Sequence, residues 1–248
     1  MFAIFKKELR AYFINPVGFV YTGIFLAASA LICAMTTIQQ ASYNTSSYFQ
    51  YMVFTFIILI PLLTMRMFSE ERKSRTEQLL LTAPVSITGM VLGKYFAAIT
   101  LFVSTILVSC INFFPLISYA VVEQSQATDA GVHVGPVGGQ IVGCMIGIIL
   151  IGAAFIAIGL FISSLPENQL SAAVITVAVL AVMILVGVLN TYISSAFLRT
   201  VLNWISVLSR YDNFAYGLFD FSALLYYVSL AGIFLFLTVR VYEKRRWG

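Results

Sequence analysis

Charged residues are scarce in this 248-residue chain. They make up 10% of the sequence, whereas 60% of the residues are hydrophobic and the mean hydropathy is +0.97. A soluble domain usually carries about 25% charged residues, because it must cover its core with polar groups. The composition excludes an aqueous globular fold and predicts a protein whose solvent is the lipid bilayer.

Histidine and cysteine, which bind metals most often, are also rare. His133 is the only histidine, and Cys33, Cys110 and Cys144 lie in separate apolar stretches without a CxxC pair. This pattern offers no metal-binding constellation, and no Ser-His-Asp or Cys-His pair can be assembled within an apolar stretch. We therefore expect no catalytic residue, no metal site and no cofactor bound by this chain.

Ionisable residues are missing from the interior of the long apolar stretches. Secondary transporters generally keep such groups at membrane depth to bind a coupling ion. Their absence argues against proton coupling and, less strongly, against sodium coupling, because backbone carbonyls can also bind sodium. Any transport would then take its energy from another source, or the protein would be a passive pore.

A nucleotide-binding loop is missing as well. The segment Gly89-Met-Val-Leu-Gly93-Lys94-Tyr95 resembles the phosphate loop GxxxxGK[ST], but it is one residue short. It also has tyrosine where a magnesium-binding hydroxyl is required, and it leads into an apolar helix. We do not expect this chain to hydrolyse ATP by itself.

Long apolar runs are abundant. A bilayer core of about 30 Å needs roughly 20 helical residues, and backbone groups in lipid must bond within their own segment. We expect Pro61 and Pro115 to kink the second and third spans. The sequence predicts one all-α integral membrane domain over residues 1–248, with six transmembrane helices at about 17–38, 49–66, 95–121, 138–163, 169–193 and 222–241.

The basic residues indicate an orientation. Residues 6–10, 66–94 and 240–246 hold all but two of the 14 lysines and arginines, whereas the loops 39–48 and 122–137 hold none. Basic residues flanking membrane spans are enriched on the cytoplasmic side. The pattern predicts that both termini and the 66–94 connection are cytoplasmic.

Two segments outside the spans have their own patterns. Residues 2–14 place Phe2, Phe5, Leu9, Tyr12 and Phe13 on one helical face, opposite lysines and an arginine, which predicts an interfacial amphipathic helix. Residues 194–221 are apolar but contain arginine, asparagine and aspartate. We interpret them as short re-entrant helices in the outer leaflet before the last span.

A third segment, residues 67–86, suits contact with another protein. Its first half is charged, Leu79, Leu80 and Leu81 form an apolar end, and Pro84 breaks it. Mixed charge beside apolar anchors is typical of a helix that lies in a groove of a partner. An ordinary juxtamembrane loop would have the same composition, so both interpretations stay open on these grounds.

Three glycines recur every fourth residue in the fourth predicted span: Gly139, Gly143 and Gly147. This spacing makes a smooth helix face that allows another helix to approach closely. It predicts helix packing within the chain, with a subunit interface as the alternative.

Four segments together resemble the type-2 ABC exporter permeases (the ABC-2 family), and among them the membrane subunit of gliding-motility-type ABC transporters. The strongest match is Glu70–Ser86, an acidic-basic run that leads to Thr-x-x-Leu-Leu and Pro-x-Ser. Weaker matches are Phe5–Arg10 with Asn15-Pro16, Gly159–Gln169, and Leu208–Asp220. They occur in the order and at the spacing of that family.

The resemblance implies a cytoplasmic coupling helix at about 70–82, which sits in a cleft of a separate ATP-binding subunit. The residues it assigns to this helix and its end are Glu70, Glu71, Arg72, Arg75, Thr76, Glu77, Leu79, Leu80, Leu81 and Pro84. It assigns a second, smaller ATPase contact to the turn that contains Ser164, Glu167, Asn168 and Gln169.

The resemblance also implies an assembly. Two ATP-binding subunits, which hold ATP and Mg²⁺, would join this chain and a second permease half in a homo- or heterodimer within a bacterial-type plasma (inner) membrane, with no role for nucleic acid. The implied function is ATP-driven export by alternating access. The alternatives are a non-transporting scaffold that the same ATPase drives for motility or envelope assembly, and a passive channel.

Overall fold

The computed structural model describes residues 1–14, 16–39, 43, 45–78, 85–126, 138–190, 202–204 and 206–247. Within these ranges the regular structure is helical and contains no β-strand. We number the helices α1 (Phe2–Ile14), α2 (Pro16–Cys33, continued by a π-helical segment Ala34–Ile38), α3 (Ser46–Thr64), α4 (Ser69–Lys73), α5 (Ile87–Ser109), α6 (Phe113–Gln126), α7 (Gly138–Ser163), α8 (Gln169–Leu189), α9 (Asp212–Ala215) and α10 (Phe221–Trp247).

Six helical segments of the described chain are long and apolar enough to cross a membrane, which confirms the predicted all-α class and the number of spans. They are Pro16–Ile38, Ser46–Lys73, Ile87–Ala120, Gly138–Ser163, Gln169–Leu189 and Phe221–Arg246. Some boundaries differ from the prediction. The third helix begins at Ile87 rather than at residue 95, and the last continues past residue 241, because the helical backbone extends beyond the apolar run into polar residues.

The two ends of the bundle differ in composition. At one end, which we call the polar end, α1, α4, the turn 164–168 and the last turns of α10 are joined by charged side chains. At the opposite end, α9 lies against the first turns of α7, and Gln140 Nε2 donates a hydrogen bond to the carbonyl of Ala215 at 3.0 Å.

Aromatic rings fill the centre of the bundle. Phe25 of α2, Phe56 of α3 and Phe102 of α5 have no exposed surface, and the ring centroids of Phe56 and Phe102 are 5.2 Å apart. Gly152 of α7 lies directly against the Phe102 ring, where a β-carbon would overlap the ring atoms. The close approach of four helices therefore depends on aromatic pairs facing a residue that has no side chain.

The two prolines within spans have different surroundings. Helix α3 continues through Pro61 to Thr64. Pro115 of α6 follows a 3-10 segment, Cys110–Asn112, that separates α5 from α6. A proline ring clashes with the carbonyl four residues earlier, which here belongs to Ile111, and the tighter turn lies at that point.

Helix α1 does not have the single apolar face that the sequence predicts. Ile4 and Tyr12 are buried against the bundle, and the Tyr12 hydroxyl donates to the carbonyl of Leu63 at 3.2 Å. Phe2 and Phe13 are exposed. The predicted face is split because α1 packs against α5, so one set of apolar residues contacts protein while another faces outward.

The segment before α10 is described only in part, since residues 191–201 and 205 lie outside the described ranges. The described part contains a 3-10 turn, Leu208–Arg210, followed by α9. Asp220 directly precedes α10 and caps it. Its carboxylate accepts hydrogen bonds from Asn213 Nδ2 and from the backbone N–H of Ser222, both at 2.8 Å. The Asn213 hydrogen bond, followed by that from Ser222, lowers the pKa of Asp220 below its usual range. Re-entrant placement of this segment stays a prediction.

Two of the three glycines at four-residue spacing contact this segment. A β-carbon on Gly143 would lie 2.9 Å from the Cα of Gly217, and one on Gly147 would lie 2.8 Å from the Tyr211 ring. A β-carbon on Gly139 would meet no atom within 4 Å. Gly217 itself has φ +77°, a conformation that favours glycine. The smooth face of α7 therefore packs against α9 within the chain at its second and third glycines.

A leucine scan of this face gives a direct test. We expect Gly147→Leu to lower the free energy of unfolding by about 1–3 kcal/mol, because the added atoms would displace the Tyr211 ring. Gly139→Leu is the matched control and should leave stability unchanged. Thermal unfolding of both variants in detergent, followed by tryptophan fluorescence, measures the difference. Equal melting temperatures for both variants would contradict the packing described here.

Candidate functional site: a charged platform at the polar end

The polar end begins where α3 turns into α4. The backbone N–H groups of Phe68 and Ser69 donate to the Ser163 hydroxyl at 3.3 and 3.5 Å, and that hydroxyl donates to the carbonyl of Met65 at 3.2 Å. The first N–H groups of a helix have no partner within the helix. The last residue of α7 supplies one here and fixes α4 against the end of α7.

Helix α4 is shorter than the predicted coupling helix. It ends at Lys73, and Arg75 follows with φ 56°, a left-handed conformation that terminates a helix. Helical backbone resumes at residues 77–78. The prediction of one uninterrupted helix over 70–82 is therefore wrong for its described part. Residues 79–84, which include Leu79, Leu80, Leu81 and Pro84, lie outside the described ranges.

Lys94 is the most buried charged group at this end. Its side chain is 1% exposed, and its ammonium donates to Glu8 at 3.0 Å, to Glu71 at 2.8 Å and to the carbonyl of Met67 at 2.8 Å. The ammonium also lies 5.2 Å from the centroid of the Phe68 ring. A buried charge is stable only when it is paired and hydrogen-bonded, and all three ammonium protons have acceptors here.

The two glycines that precede Lys94 make this geometry possible. A β-carbon on Gly93 would lie 3.1 Å from the carbonyl oxygen of Met1 and 3.2 Å from Ile4, so α1 lies directly on this face of α5. Ser86 caps α5, and its hydroxyl accepts from the N–H of Gly89 at 3.2 Å. The segment that resembles a phosphate loop is thus a helix whose glycines accommodate α1 and whose lysine pairs with Glu8.

Arg72 joins α4 to the turn between α7 and α8. Its guanidinium donates to the Glu167 carboxylate at 2.9 Å and to the carbonyl of Leu165. The Arg72 side chain is 18% exposed, whereas that of Glu167 is 76% exposed. The two regions for which the resemblance implies separate ATPase contacts are therefore in direct contact with each other.

Arg245 brings the C-terminal helix into the same cluster. Its guanidinium donates to Glu77 at 3.1 Å and to the carbonyl of Ser164 at 2.6 Å. Glu77 also lies 3.6 Å from the Arg72 guanidinium. Residues 70–78, the turn 164–168 and the end of α10 thus form one charged cluster, which we call the platform.

Other predicted contact residues are used within the chain. Glu70 accepts a bidentate pair from Arg66 at 2.7 and 2.8 Å. Asn168 caps α8, because its side-chain oxygen accepts from the N–H of Leu170 at 3.3 Å, and Gln169 is the first residue of that helix. Ser164 is buried. These side chains hold the platform together.

What the platform presents outward is a smaller set of exposed side chains: Lys73, Ser74, Arg75, Thr76, Gln78, Leu165, Glu167 and Asn168. The first four form the tip of the turn after α4, and the Thr76 and Ser74 hydroxyls lie 2.9 Å apart. Lys73 and Arg75 give the tip a positive charge. Of the predicted coupling residues that are described, Arg75 and Thr76 belong to this exposed tip.

The sequence analysis did not identify four residues that hold the platform in place from helices remote in the sequence: Glu8, Lys94, Ser163 and Arg245. A signal for two of them exists in the sequence. Glu8 is the single acidic residue of α1, and Lys94 directly follows two glycines at four-residue spacing. Ser163 and Arg245 have no distinguishing pattern, because each acts through an element that is remote in the sequence.

The Arg245 contacts can be tested by proteolysis. We expect Arg245→Ala to increase the rate of trypsin cleavage after Lys73 and Arg75 by roughly fivefold, because Glu77, which directly follows the turn, loses its charged hydrogen bond to Arg245. Lys244→Ala removes an exposed charge from the same helix turn and serves as the control. Timed digestion of both variants in detergent micelles measures the rates, and identical cleavage kinetics would contradict the proposed restraint.

Comparison with known proteins agrees with this architecture. The family model described as "ABC-2 family transporter protein" matches residues 34–242, which include four whole spans, most of α10 and the whole segment between α3 and α5. A comparison with curated proteins found no match to the chain. The matched region contains five of the six residues that form the Arg72 and Arg245 contacts, all except Arg245 itself. The chain belongs to the ABC-2 family of transporter proteins.

Proposed function

We propose that this multi-pass membrane protein is the permease subunit of an ATP-driven exporter and that a separate ATP-binding subunit docks on the platform. The observation that carries the proposal is the junction of three remote segments around Arg72 and Glu77. A displacement of the exposed tip would move the α7–α8 turn, because Arg72 is hydrogen-bonded to it. It would also move α10, because Glu77 is paired with Arg245. Such a surface suits a subunit that must move several membrane helices at once.

The ATP-binding function belongs to the partner in this proposal. Gly93 lies against Met1 and Ile4, Gly89 lies against the Ser86 hydroxyl, and the Lys94 ammonium is fully hydrogen-bonded within the chain. ATP and Mg²⁺ would therefore bind to the partner subunits. The positive tip formed by Lys73 and Arg75 favours an acidic docking surface on the partner.

The proposed assembly contains two ATP-binding subunits and a second permease half. The resemblance suggests that spans one, two and five lie nearest the contact between the halves. In their most apolar 18 residues, the spans of α2 and α8 are 28% and 22% buried, and the last span is also 28% buried, whereas the second span is 61% buried. The first, fifth and sixth spans therefore offer apolar surface for lipid or for another subunit. These values favour α2 and α8 over α3 as the contact surface.

The polar end is cytoplasmic in this proposal, and the membrane is a bacterial-type plasma membrane. The support is the distribution of basic residues, most of which the fold gathers at the end where α1, the platform and the C-terminal turns of α10 meet. Both termini would then lie on the side where ATP is available.

Charge reversal at the tip tests recruitment of the ATPase. We expect Lys73→Glu/Arg75→Glu to reduce the ATPase activity that co-purifies with the tagged chain by roughly tenfold or more, because like charges at an interface cost several kcal/mol. The measurement is vanadate-sensitive ATP hydrolysis after mild-detergent purification from the native membrane. Mass spectrometry should identify a stoichiometric polypeptide that contains a phosphate loop.

A matched control separates docking from net charge. Lys6→Glu/Arg10→Glu makes the same change in charge at exposed positions of α1 and should retain the ATPase. Equal ATPase recovery with both double variants would contradict docking at the tip. Absence of any co-purifying ATPase with the unmodified chain would contradict the exporter proposal itself.

Reconstitution distinguishes export from the two alternatives. We expect the complex in proteoliposomes to show no ion conductance without nucleotide, since the interiors of the predicted spans contain no ring of charged residues. We also expect ATP hydrolysis that increases when a transported compound is added. Nucleotide-independent conductance would indicate a channel. ATP hydrolysis that no compound from a panel of lipids, peptides and drugs stimulates would favour a scaffold for motility or envelope assembly.

A further inference from the structure

We infer that Lys94 is a positioning residue that fixes the N-terminal helix α1 to the platform, so that the two move as one rigid unit. We call the contacts of Lys94 with Glu8, Glu71 and the carbonyl of Met67 the lock. The inference rests on the proposed function for its role in transport, but its structural part concerns this chain alone. Lys94 belongs to α5, and its two carboxylate partners belong to α1 and α4. One ammonium therefore connects three helices at a single point.

The charges around Lys94 are balanced. Lys94 and Lys7 face Glu8 and Glu71: the Lys7 ammonium lies 3.7 Å from each carboxylate and is 61% exposed, whereas Lys94 is 1% exposed. Glu8 and Glu71 are each 14% exposed. Lys94 thus provides the close, dehydrated contacts, and Lys7 provides a longer contact at the surface.

A buried ionic cluster of this kind is better suited to fixing geometry than to adding stability. Well-packed apolar residues often stabilise a protein as much as a buried ion pair does, whereas an ion pair with hydrogen bonds accepts few alternative arrangements. Here the backbone carbonyl of Met67 accepts the third hydrogen bond, so the chain between α3 and α4 is held as well. The cluster therefore fixes the position of α4 relative to α1.

The outer surface of α1 suits contact with the membrane interface, so the lock would connect the tip to that interface. Phe2 is 76% exposed, Phe13 is 48% exposed and Ile14 is 69% exposed, and these apolar side chains suit the membrane interface. A movement of the tip at Lys73–Thr76 would then be transmitted to α1 and to the start of the first span, because Gly18 of α2 lies directly against Tyr12 of α1. Without the Lys94 contacts, the tip would move relative to α1.

Distance measurements between spin labels test the lock in the full chain without any partner. Labels at Lys6→Cys and Lys73→Cys, both exposed positions, would be introduced after the three native cysteines are replaced by serine. In nanodiscs, double electron–electron resonance should give one narrow distance distribution. We expect Lys94→Met to widen it at least roughly twofold, because α4 loses its ionic contact with α5 and α1.

Two further variants separate positioning from loss of folding. Glu8→Gln removes the charge of the α1 branch while Glu71 stays paired with Lys94. It should also widen the distribution while the protein still unfolds in a single cooperative transition. Lys7→Met removes only the exposed cation and should leave the distribution narrow. A distribution as narrow in Lys94→Met and Glu8→Gln as in Lys7→Met would overturn the inference.

The transport consequence is measured in the complex with its ATPase. We expect Glu8→Gln to lower transport per ATP hydrolysed by roughly tenfold, the effect of about one charged hydrogen bond, with ATPase recruitment unchanged. Normal transport per ATP in this variant would overturn the coupling role. If no ATPase binds even the unmodified chain, the proposed function fails, and the spin-label result alone then decides whether the lock exists.

Discussion

Burial of the Lys94 ammonium constrains the whole polar end. An ammonium that is 1% exposed needs acceptors for all three of its protons, and no single neighbouring helix can supply them. Glu8 belongs to α1, Glu71 belongs to α4, and the carbonyl of Met67 belongs to the connection between α3 and α4. The approach of α1 requires glycine at position 93, and the position of α4 requires the Ser163 hydroxyl at its first turn. Pairing this ion positions α1 and α4, and Arg72 and Arg245 then join the 164–168 turn and α10 to α4 and Glu77.

The platform shows why a contact motif is a poor guide to a contact surface. Four of the six charged residues of the acidic-basic run form ion pairs within the chain, with partners on α1, the connection between α3 and α4, α5, the 164–168 turn and α10. Their charges are largely neutralised before any partner arrives. Among the described charged residues of the run, the exposed ones are Lys73 and Arg75, in and beside the left-handed turn. In the function proposed here, the ATP-binding subunit moves the exposed turn, and the paired residues pass that movement to the membrane helices.

The membrane part follows a different principle, in which small residues decide where helices meet. Gly152 receives the Phe102 ring, and Gly143 and Gly147 receive the segment around α9. Gly139 has the same spacing, but a β-carbon there would meet no atom within 4 Å. Spacing therefore indicates a face that can be approached, but the facing element decides which of its glycines are used. The exposed apolar surface of α2 and α8 shows the converse: hydrophobicity alone does not separate a lipid-facing surface from an interface.

The sequence by itself determined the solvent of this protein, the all-α class and the number of spans. These follow from composition and from runs of neighbouring residues, because lipid requires each segment to satisfy its own backbone hydrogen bonds. The tertiary structure alone decided the split face of α1, the break of the coupling segment at Arg75 and the pairing of Arg72, Glu77, Lys94 and Arg245 with distant partners. Side-chain charge can be read along a chain, but whether a charge is used internally or presented to a partner depends on which remote residue lies within about 3 Å, the reach of a hydrogen bond.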